Sequence, residues 1–330
     1  MDNHVVKSNL KIFLTGFLGF IAVAAVLAVG YLAFSAYRAA PTTGAAASVA
    51  SFLNLPALSV NGQSVSYRDY ISDMKAIRMF QAFSQSSGSP LPSYTDEQLS
   101  DQVISRLAGN VVIEQTAARL VASVAPEEVA ALKAQLLEEY KTVDAVNAEL
   151  IKRYGWDLKT YERKVMNSYL LQQSVAEKIS TDPAARSSLL SQAESVLKQI
   201  KDGADFALLA KQYGTDATKD QGGDLGWFKT GDMVPQFETA AFALKLNQVT
   251  DQPVESSYGF HLIKLTGRKT TTSKGADGKL VAAEEIRASH ILFPFPTLEK
   301  YLANALKDAK IKLYIKVHNP FLSVATSTPV

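Results

Sequence analysis

The sequence has no cysteine and only four histidines in 330 residues. Without cysteine, disulfide bonds, thiol nucleophiles and cysteine-ligated metals are excluded. Lysine and arginine number 34 against 32 aspartates and glutamates, so there is no basic excess of the kind that binds nucleic acid. The glycines at 221–228 match neither a P-loop nor a dinucleotide fingerprint, and the HExxH spacing of zinc enzymes does not occur. We therefore predict no cofactor, metal, nucleotide or nucleic-acid partner.

Residues 12–34 form an apolar stretch of 23 residues without a charge. A helix of this length rises by about 35 Å, which is enough to cross the hydrocarbon core of a membrane. The apolar regions of cleaved signal peptides are usually shorter, so the stretch favours an uncleaved anchor over residues 12–36. Lys7 and Lys11 precede it, which predicts a cytoplasmic N-terminus over residues 1–11. The sequence thus predicts a single-pass protein of the cell membrane with the bulk of the chain extracytoplasmic.

After the predicted anchor, residues 39–51 are small, uncharged and without an amphipathic period, so we expect a flexible linker over residues 37–54. Over residues 55–180, apolar side chains recur at three and four residues, which predicts a helical module. That module should open with a hairpin turning at Asn61–Gly62, followed by a helix that Ser66 and Asp69 cap.

Beyond residue 180 the pattern changes to short mixed elements, which gives a predicted α+β fold class. We expect a second domain over residues 181–295. Residues 296–330 form a C-terminal extension containing a short helix and a strand, and the pattern does not indicate which domain they pack against.

Four successive blocks of the second domain resemble the parvulin rotamase domain at the family's spacing. They are DGADFALLAKQYGTD, QGGDLGWF, GDMVPQFETAAFAL and YGFHLIKL, within residues 202–265. The resemblance implies an apolar pocket for the proline ring and polar groups beside it. The implied pocket residues are Leu225, Met233 and Phe237, and the implied active-site residues are His261, Asp216 and Ser256. Gly214 departs from the serine that many relatives carry at this position.

The helical module resembles the N-terminal chaperone region of the SurA, PrsA and PpiD foldases. VNGQSVSYRDY, SDQVISRLAGNVVIEQTAARL, SVAPEEVAALKAQLLEEY and YGWDLKTYERKVMNSYLLQQSV follow one another in the family's order. The resemblance implies a cradle of helices that holds unfolded or extended client segments. Pattern alone is equally compatible with an ordinary helical bundle.

The first strand of the parvulin family is missing before the domain, since KISTDPAARSSLL contains no strand pattern. A matching block, IRASHILF, occurs afterwards at 286–293. If the two strands pair across a loop at 266–285, the midpoint between Gly275 and Ala276 places His261 opposite His290. We therefore predict a permuted domain whose first strand comes from the C-terminal side. The alternative is a second, degenerate copy starting at Ile286, but no glycine-rich block follows it.

The two resemblances imply a peptidyl-prolyl cis-trans isomerase and chaperone for exported polypeptides with X-Pro bonds. Catalysis would act by non-covalent stabilisation of a twisted amide, with His261 and His290 holding a hydrogen-bond network. A hydrolase is disfavoured because no nucleophile-elbow pattern accompanies the serine, histidine and aspartate. The alternative function is an inactive or weakly active holdase that uses the parvulin domain to bind clients.

Overall fold

The computed structural model describes residues 24–88, 91–274 and 280–321. They form two compact units: unit 1 contains residues up to Ala176 and from Leu298 onward, and unit 2 is Glu177–Thr297. Residues 12–23 of the expected anchor lie outside the described residues, and residues 24–39 are helical. Within the three described ranges, no helix is both long and apolar enough to cross a membrane.

The secondary structure is mainly helical in the first two thirds of the chain and contains both helices and strands in the last third. Besides the helix at residues 24–39, the helices are α1 (Gly44–Phe52), α2 (Tyr67–Ser86), α3 (Asp96–Leu120), α4 (Pro126–Tyr140), α5 (Val143–Tyr154), α6 (Leu158–Tyr161), a π-helical turn (Glu162–Met166), α7 (Asn167–Ser180), α8 (Pro183–Lys201), α9 (Phe206–Tyr213), a 3₁₀ turn (Lys219–Gln221), α10 (Pro235–Ala243) and α11 (Leu298–Asp308). The strands are β1 (Pro56–Val60), β2 (Gln63–Ser66), β3 (Asp224–Lys229), β4 (Val254–Ser256), β5 (Gly259–Lys274), β6 (Leu280–Pro294) and β7 (Ile311–Leu313).

The predicted hairpin is confirmed. Val60 pairs with Gln63, and the two residues between them, Asn61 and Gly62, both have positive φ, as a two-residue hairpin turn requires. The predicted cap at the start of α2 is confirmed as well, because the Ser66 side chain accepts a hydrogen bond from the backbone N–H of Asp69. The hairpin therefore leads directly into the first long helix of unit 1.

The expected flexible linker over residues 37–54 is wrong for its central part, which forms α1. Ala47 and Ala50 of this helix are buried in the unit 1 core. Alanine has the highest intrinsic helix propensity, and its methyl group allows close packing. The sequence showed no amphipathic period there because the core-facing side chains are as small as the others. The packed part of unit 1 thus begins before Leu55.

The C-terminal extension completes unit 1. Strand β7 pairs antiparallel with β1, with Leu58 opposite Leu313, so the sheet has the order β2-β1-β7. Side chains from α11 and the segment after it join the same apolar core. The participants include Leu302, Leu306, Leu313 and Ile315, packed with Leu58, Tyr67, Met74, Leu99, Val103 and Ile104. Unit 1 is therefore built from both sides of unit 2 in the sequence.

A partly buried group of charged side chains, here named the charged cluster, joins α2, α3 and the π-helical turn. Its members are Asp69, Asp73, Arg106 and Lys164. Lys164 Nζ lies 2.7 Å from Asp69 Oδ1 and 3.0 Å from Asp73 Oδ1, and Arg106 pairs with the other Asp73 oxygen. Burial alone would raise the pKa of Asp69, but hydrogen bonds from Lys164 and Ser66 outweigh it and lower that pKa. Asp69 is therefore a carboxylate at neutral pH.

Unit 2 is an antiparallel four-stranded sheet in the order β3-β6-β5-β4, with helices on both faces. Alternate residues of β5 explain the two layers, since successive side chains point to opposite faces. Phe260 and Leu262 pack with α8 and α9, whereas Ile263 and Leu265 pack with α10. His261 lies on the same face as Ile263 and Leu265 and contacts Phe237 of α10. The sheet is therefore covered on one face by two helices and carries the histidine on the other.

The β5–β6 pairing differs from the prediction in register and in length. Ile263 lies opposite His290 and His261 opposite Leu292, so the histidines are diagonal neighbours and not direct partners. The predicted loop at 266–285 is also wrong for most of its length, because β5 extends to Lys274 and β6 begins at Leu280. The centre of the predicted loop lies among residues 275–279, outside the described residues. Threonine-rich sequence after Gly267 suits a strand, and a bulge near Gly267 shifts the register by one residue.

Candidate active site

Four polar side chains form a continuous line on the α10 face of the unit 2 sheet, and we name it the histidine chain. Its members are Ser256 at the end of β4, His261 on β5, His290 on β6 and Asp216 in the loop after α9. Ser256 Oγ lies 2.7 Å from His261 Nε2, and the two histidine Nδ1 atoms are 3.2 Å apart. His290 Nε2 lies 2.9 Å from Asp216 Oδ2. The structure thus brings the four predicted polar residues together.

Strand alternation explains why the two histidines meet. On antiparallel strands, diagonal neighbours separated by two residues share a face and remain within reach of long or aromatic side chains. The rings of His261 and His290 are 5.5 Å apart between centroids and inclined by only 18°. The diagonal register therefore produces the proximity that the direct pairing was expected to give.

A glycine allows the neighbouring loop to approach His290 closely. The Gly223 carbonyl accepts a hydrogen bond from the His290 backbone N–H at 2.8 Å. A Cβ atom on Gly223 would lie 2.1 Å from the His290 carbonyl oxygen, and its φ of +78° also disfavours other residues. This glycine in the QGGDLGWF block therefore fixes the backbone at the edge of the site.

Asp216 is held by a local turn that sequence reasoning missed. Thr218 donates to Asp216 Oδ1 through its backbone N–H at 2.8 Å and its hydroxyl at 2.6 Å. The Asp-x-Thr spacing was the available signal, since such residues commonly hydrogen-bond two positions along the chain. Burial alone would raise the pKa of Asp216, but the hydrogen bonds from Thr218 outweigh it, aided by the nearby histidines, and lower that pKa. Asp216 is therefore a carboxylate at neutral pH.

Both histidines are neutral at neutral pH. Burial lowers the pKa of His261 to about 4, and the neighbouring His290 adds to this shift, while Asp216 opposes it. Burial also lowers the pKa of His290, although Asp216 again acts in the opposite direction. Desolvation penalises the imidazolium form of each ring. The site therefore holds two uncharged imidazoles beside one carboxylate.

The position of Asp216 favours one order of hydrogen bonds between the neutral rings. Asp216 only accepts, which favours the His290 tautomer with its proton on Nε2 and an accepting Nδ1. His261 then donates from Nδ1 and accepts at Nε2 the proton of the Ser256 hydroxyl, which in turn accepts the N–H of Tyr258 at 3.0 Å. The His290–Asp216 contact, although 2.9 Å long, is not aligned as a hydrogen bond in this structure. Within the histidine chain, the links from Ser256 to His261 and from His261 to His290 are thus hydrogen bonds, and the link from His290 to Asp216 is an electrostatic contact.

An apolar cavity of about 400 Å³ lies beside the histidine chain. All three predicted pocket residues line it, and Phe237 touches both histidines edge-on, with centroid distances of 5.2 Å to His261 and 5.8 Å to His290. The remaining lining residues are Ala217, Thr218, Asp232, Val234, Tyr258 and Leu292, besides His261, His290 and Asp216. The predicted site residues except Ser256 therefore border one cavity, and their roles in catalysis stay predictions.

Ser256 differs from the other members because it is buried behind His261 and does not line the cavity. A serine nucleophile must reach the substrate carbonyl carbon. This placement argues against a hydrolase and leaves Ser256 as a partner that orients the His261 ring.

Ligand atoms of Glu97, Asp101 and His318 in unit 1 are close enough to share a metal ion, but their hydrogen-bonded, largely surface arrangement gives no sign of one.

Comparisons with known proteins point to one family. Residues 158–269 match the model of the PPIC-type PPIase domain. The chain is 34% identical over 198 residues to foldase protein PrsA 2 of Bacillus anthracis, which covers 57% of this chain and 67% of that protein. It is 43% identical over 94 residues to chaperone SurA of Methylobacillus flagellatus, covering 28% of this chain and 21% of that protein.

The alignments differ in how much of each relative they span. Two further PrsA proteins are matched over 50% and 41% of their own length. A crystal structure described as peptidylprolyl isomerase (PrsA) from Bacillus anthracis is 27% identical and covers 50% of this chain and 79% of that one. Its TM-score of 0.24 gives no support to a shared overall arrangement. The domain match ends at Lys269, so β6 with His290 lies outside the matched residues.

Proposed function

Since the chain belongs to the PrsA foldase family and contains a PPIC-type peptidyl-prolyl isomerase domain, we propose that unit 2 isomerises X-Pro bonds in unfolded or extended polypeptides. One observation carries this proposal: a line of neutral, hydrogen-bonded histidines borders an apolar cavity large enough for a proline ring. The partners would be exported polypeptides passing through a non-native state.

The cavity would act on the barrier to rotation. Uncatalysed X-Pro isomerisation takes tens to hundreds of seconds because the planar amide is resonance-stabilised. Met233, Phe237 and Leu225 would bind the ring and exclude water from the amide, which removes solvation that favours the polar planar form. Binding the twisted amide better than either planar form then raises the rate. Such a rotation requires no nucleophile and no proton transfer.

The histidine chain would supply a fixed polar wall. Neutral imidazoles avoid the cost of burying a charge, and their partners hold both rings in one orientation. A preorganised wall does not need to reorient while the amide twists. His261 and His290 would therefore position the substrate, with Asp216 and Ser256 fixing the two ends of the chain.

A protease-coupled assay with a proline tetrapeptide tests this function. Phe237→Ala should lower kcat/KM at least tenfold, because it opens the cavity wall that contacts both histidines. It should also destabilise the fold by about 3–5 kcal/mol. Phe206→Ala is the matched control, because Phe206 is equally buried but packs on the other face of the sheet. Equal activities of the two folded variants would remove the pocket assignment.

Chaperone activity is proposed for unit 1. A groove of about 750 Å³ runs between α4, the π-helical turn and α7, and it is partly apolar. Its apolar lining comes from Val124, Pro126, Val129, Ala130, Ala134, Leu137 and Leu171. Such a groove suits an extended client segment, which also supports the alternative of a holdase with little isomerase activity. A protein that suppresses client aggregation but does not accelerate isomerisation would establish the holdase and reject the enzyme.

We also propose that unit 2 is a permuted parvulin domain. The domain match ends within β5, while β6 lies centrally in the sheet and contributes His290. A rearranged unit 2, with residues 286–294 placed ahead of Pro183 and the chain ended after Lys269, should then fold and retain activity. An unfolded or inactive product would contradict the permutation.

Membrane anchoring through residues 12–36, with the rest of the chain outside, is a further proposal. It is supported by the uncharged run at 12–34 and by exposed apolar side chains in its described part, among them Val26, Leu27 and Tyr31. Exposed apolar surface of this kind suits contact with lipid. Full-length protein should fractionate with membranes, and external protease should reach both units. Recovery in the soluble fraction would reject the anchor.

A further inference from the structure

The cavity beside the histidine chain carries two carboxylates and no cationic side chain. Asp216 and Asp232 are the charged lining residues, and the described lining includes neither lysine nor arginine. Both histidines are neutral there at neutral pH, because burial lowers the pKa of each. The charged side chains that line the cavity are therefore both acidic.

Asp232 lies at the exposed rim, between β3 and the start of α10. Its Oδ2 accepts the backbone N–H of Lys229 at 3.0 Å, and it directly precedes the pocket residue Met233. In the part of the chain that the structure describes, Asp232 forms no ion pair with a lysine or arginine. The hydrogen bond thus holds the carboxylate at the rim, where it is exposed to solvent.

Asp216 is similar in charge and different in position. It is half-buried, and its close contacts are Thr218 and neutral His290. Neither contact supplies a positive charge. The rest of the lining is mainly apolar and suits a proline ring, so the two carboxylates remain for the side chains that flank the proline. A cationic neighbour would be attracted there, and an acidic neighbour would be repelled.

We propose that Asp232 and Asp216 make this site selective for X-Pro bonds in which X is arginine or lysine, and unfavourable to those in which X is acidic or phosphorylated. The inference rests on the proposed isomerase function and specifies its substrates. Asp232 is the specificity-determining residue, since Asp216 also belongs to the histidine chain. Opposite charges about 6–8 Å apart near a protein surface change a rate constant by roughly three- to tenfold at low salt.

The test compares succinyl-Ala-Xaa-Pro-Phe-p-nitroanilide peptides, with Xaa as Arg, Ala or Glu, in a chymotrypsin-coupled assay on the full chain. We expect kcat/KM for the Arg peptide to exceed that for the Glu peptide about tenfold at low salt. The ratio should shrink as salt is added, because ions screen the attraction. Equal rates for the two charged peptides, or a faster Glu peptide, would overturn the proposal.

Asp232→Asn isolates the rim charge. Asparagine can still accept the Lys229 N–H, so the turn should be preserved. The variant should lower the Arg:Glu ratio of kcat/KM about threefold. Asp251→Asn is the control, because it removes an equal charge at an exposed residue that does not line the cavity. A ratio unchanged in Asp232→Asn, or equally changed in Asp251→Asn, would reject the assignment.

Binding separates this proposal from the isomerase function itself. If no peptide is turned over by the folded wild-type protein, the isomerase function fails, and calorimetric titration with the same Arg and Glu peptides then tests the charge preference. Tighter binding of the Arg peptide that weakens in Asp232→Asn would uphold the selectivity without catalysis. Equal affinities of the two peptides would reject it.

Discussion

Both units bury a polar network, but the two networks are made of different groups. The charged cluster of unit 1 places Lys164 between two aspartates, with side-chain exposures of 7% for Lys164 and 1% for Asp73. The histidine chain of unit 2 consists of neutral rings, a hydroxyl and one carboxylate. Each network lines a cavity, but the cavity beside the histidine chain is mainly apolar, whereas the one beside the charged cluster is lined largely by polar and charged side chains. The two networks therefore differ in the chemistry of the cavity that each one lines.

The difference lies in what each network can do. Paired permanent charges attract one another strongly in the interior and hold three elements together, but their separation is expensive. Neutral titratable groups cost less to bury and can present a polar surface to an uncharged amide. The charged cluster is therefore interpreted as a structural device and the histidine chain as a functional one. The predictions below test this division.

The largest effect is expected from Lys164→Met. Removing the cation leaves Asp69 and Asp73 without their shared partner in a buried position, which should lower the free energy of unfolding of unit 1 by roughly 3–5 kcal/mol. Isomerisation of a tetrapeptide should not change. Lys198→Met is the control, because the Lys198–Asp202 pair is exposed and should show no measurable effect. Loss of isomerase activity in folded Lys164→Met would contradict the interpretation of the charged cluster as purely structural.

The second largest effect is expected on the stability of unit 2 as the pH is lowered. His261 has a pKa of about 4 when folded, against its usual 6.5, so the unfolded state binds the proton first as pH falls. Unit 2 should therefore be stable above pH 6.5 and lose stability as pH falls towards 4, on the order of 3 kcal/mol for this residue. The charged cluster behaves differently. The lowered pKa of Asp69 keeps its contribution until pH falls below 3.8.

Each unit contains one tryptophan, which allows the two responses to be measured separately. Trp156→Phe leaves Trp227 as the reporter of unit 2, and Trp227→Phe leaves Trp156 as the reporter of unit 1. Denaturant unfolding at several pH values should show the loss mainly in the first variant. A unit 2 stability that stays constant from pH 7 to pH 4 would mean that His261 is not held neutral by burial.

The smallest effect is expected from Ser256→Ala. The change leaves His261 Nε2 buried without its partner, which should cost roughly 1–3 kcal/mol and lower kcat/KM several-fold through a less well oriented ring. Ser289→Ala is the matched control, because Ser289 is buried on β6 but lies on the opposite face from His290. Equal losses of activity in the two serine variants would show that the hydroxyl does not orient His261.

Much of the site could be predicted from sequence because its signals are local. The Asn61–Gly62 turn, the alternation along β5 and the blocks that supply Phe237 all depend on residues close together in the chain. The proximity of His261 and His290 was predicted as well. Its geometry was not, because a diagonal and a direct pair on one face produce the same alternation.

Other features could not be predicted, because they depend on contacts between distant segments. A lysine such as Lys164 is almost always exposed, and nothing nearby in the sequence indicates that Asp73 and Arg106 surround it. Helix α1 has no apolar period, since alanine forms its buried face. The pairing of β7 with β1 joins residues about 250 positions apart, and each strand alone is too short to specify a partner.

The pairing of β7 with β1 has a consequence during synthesis of the chain on the ribosome. A ribosome adds roughly 5–20 residues per second, so β1 exists for about 10–50 seconds before Ile311–Leu313 are made. During this time one edge of β1 has no partner, and an open edge can pair with other chains. All of unit 2 is synthesised within the same interval. The ribosome therefore finishes synthesis of unit 2 before β7 is available to complete the β2-β1-β7 sheet of unit 1.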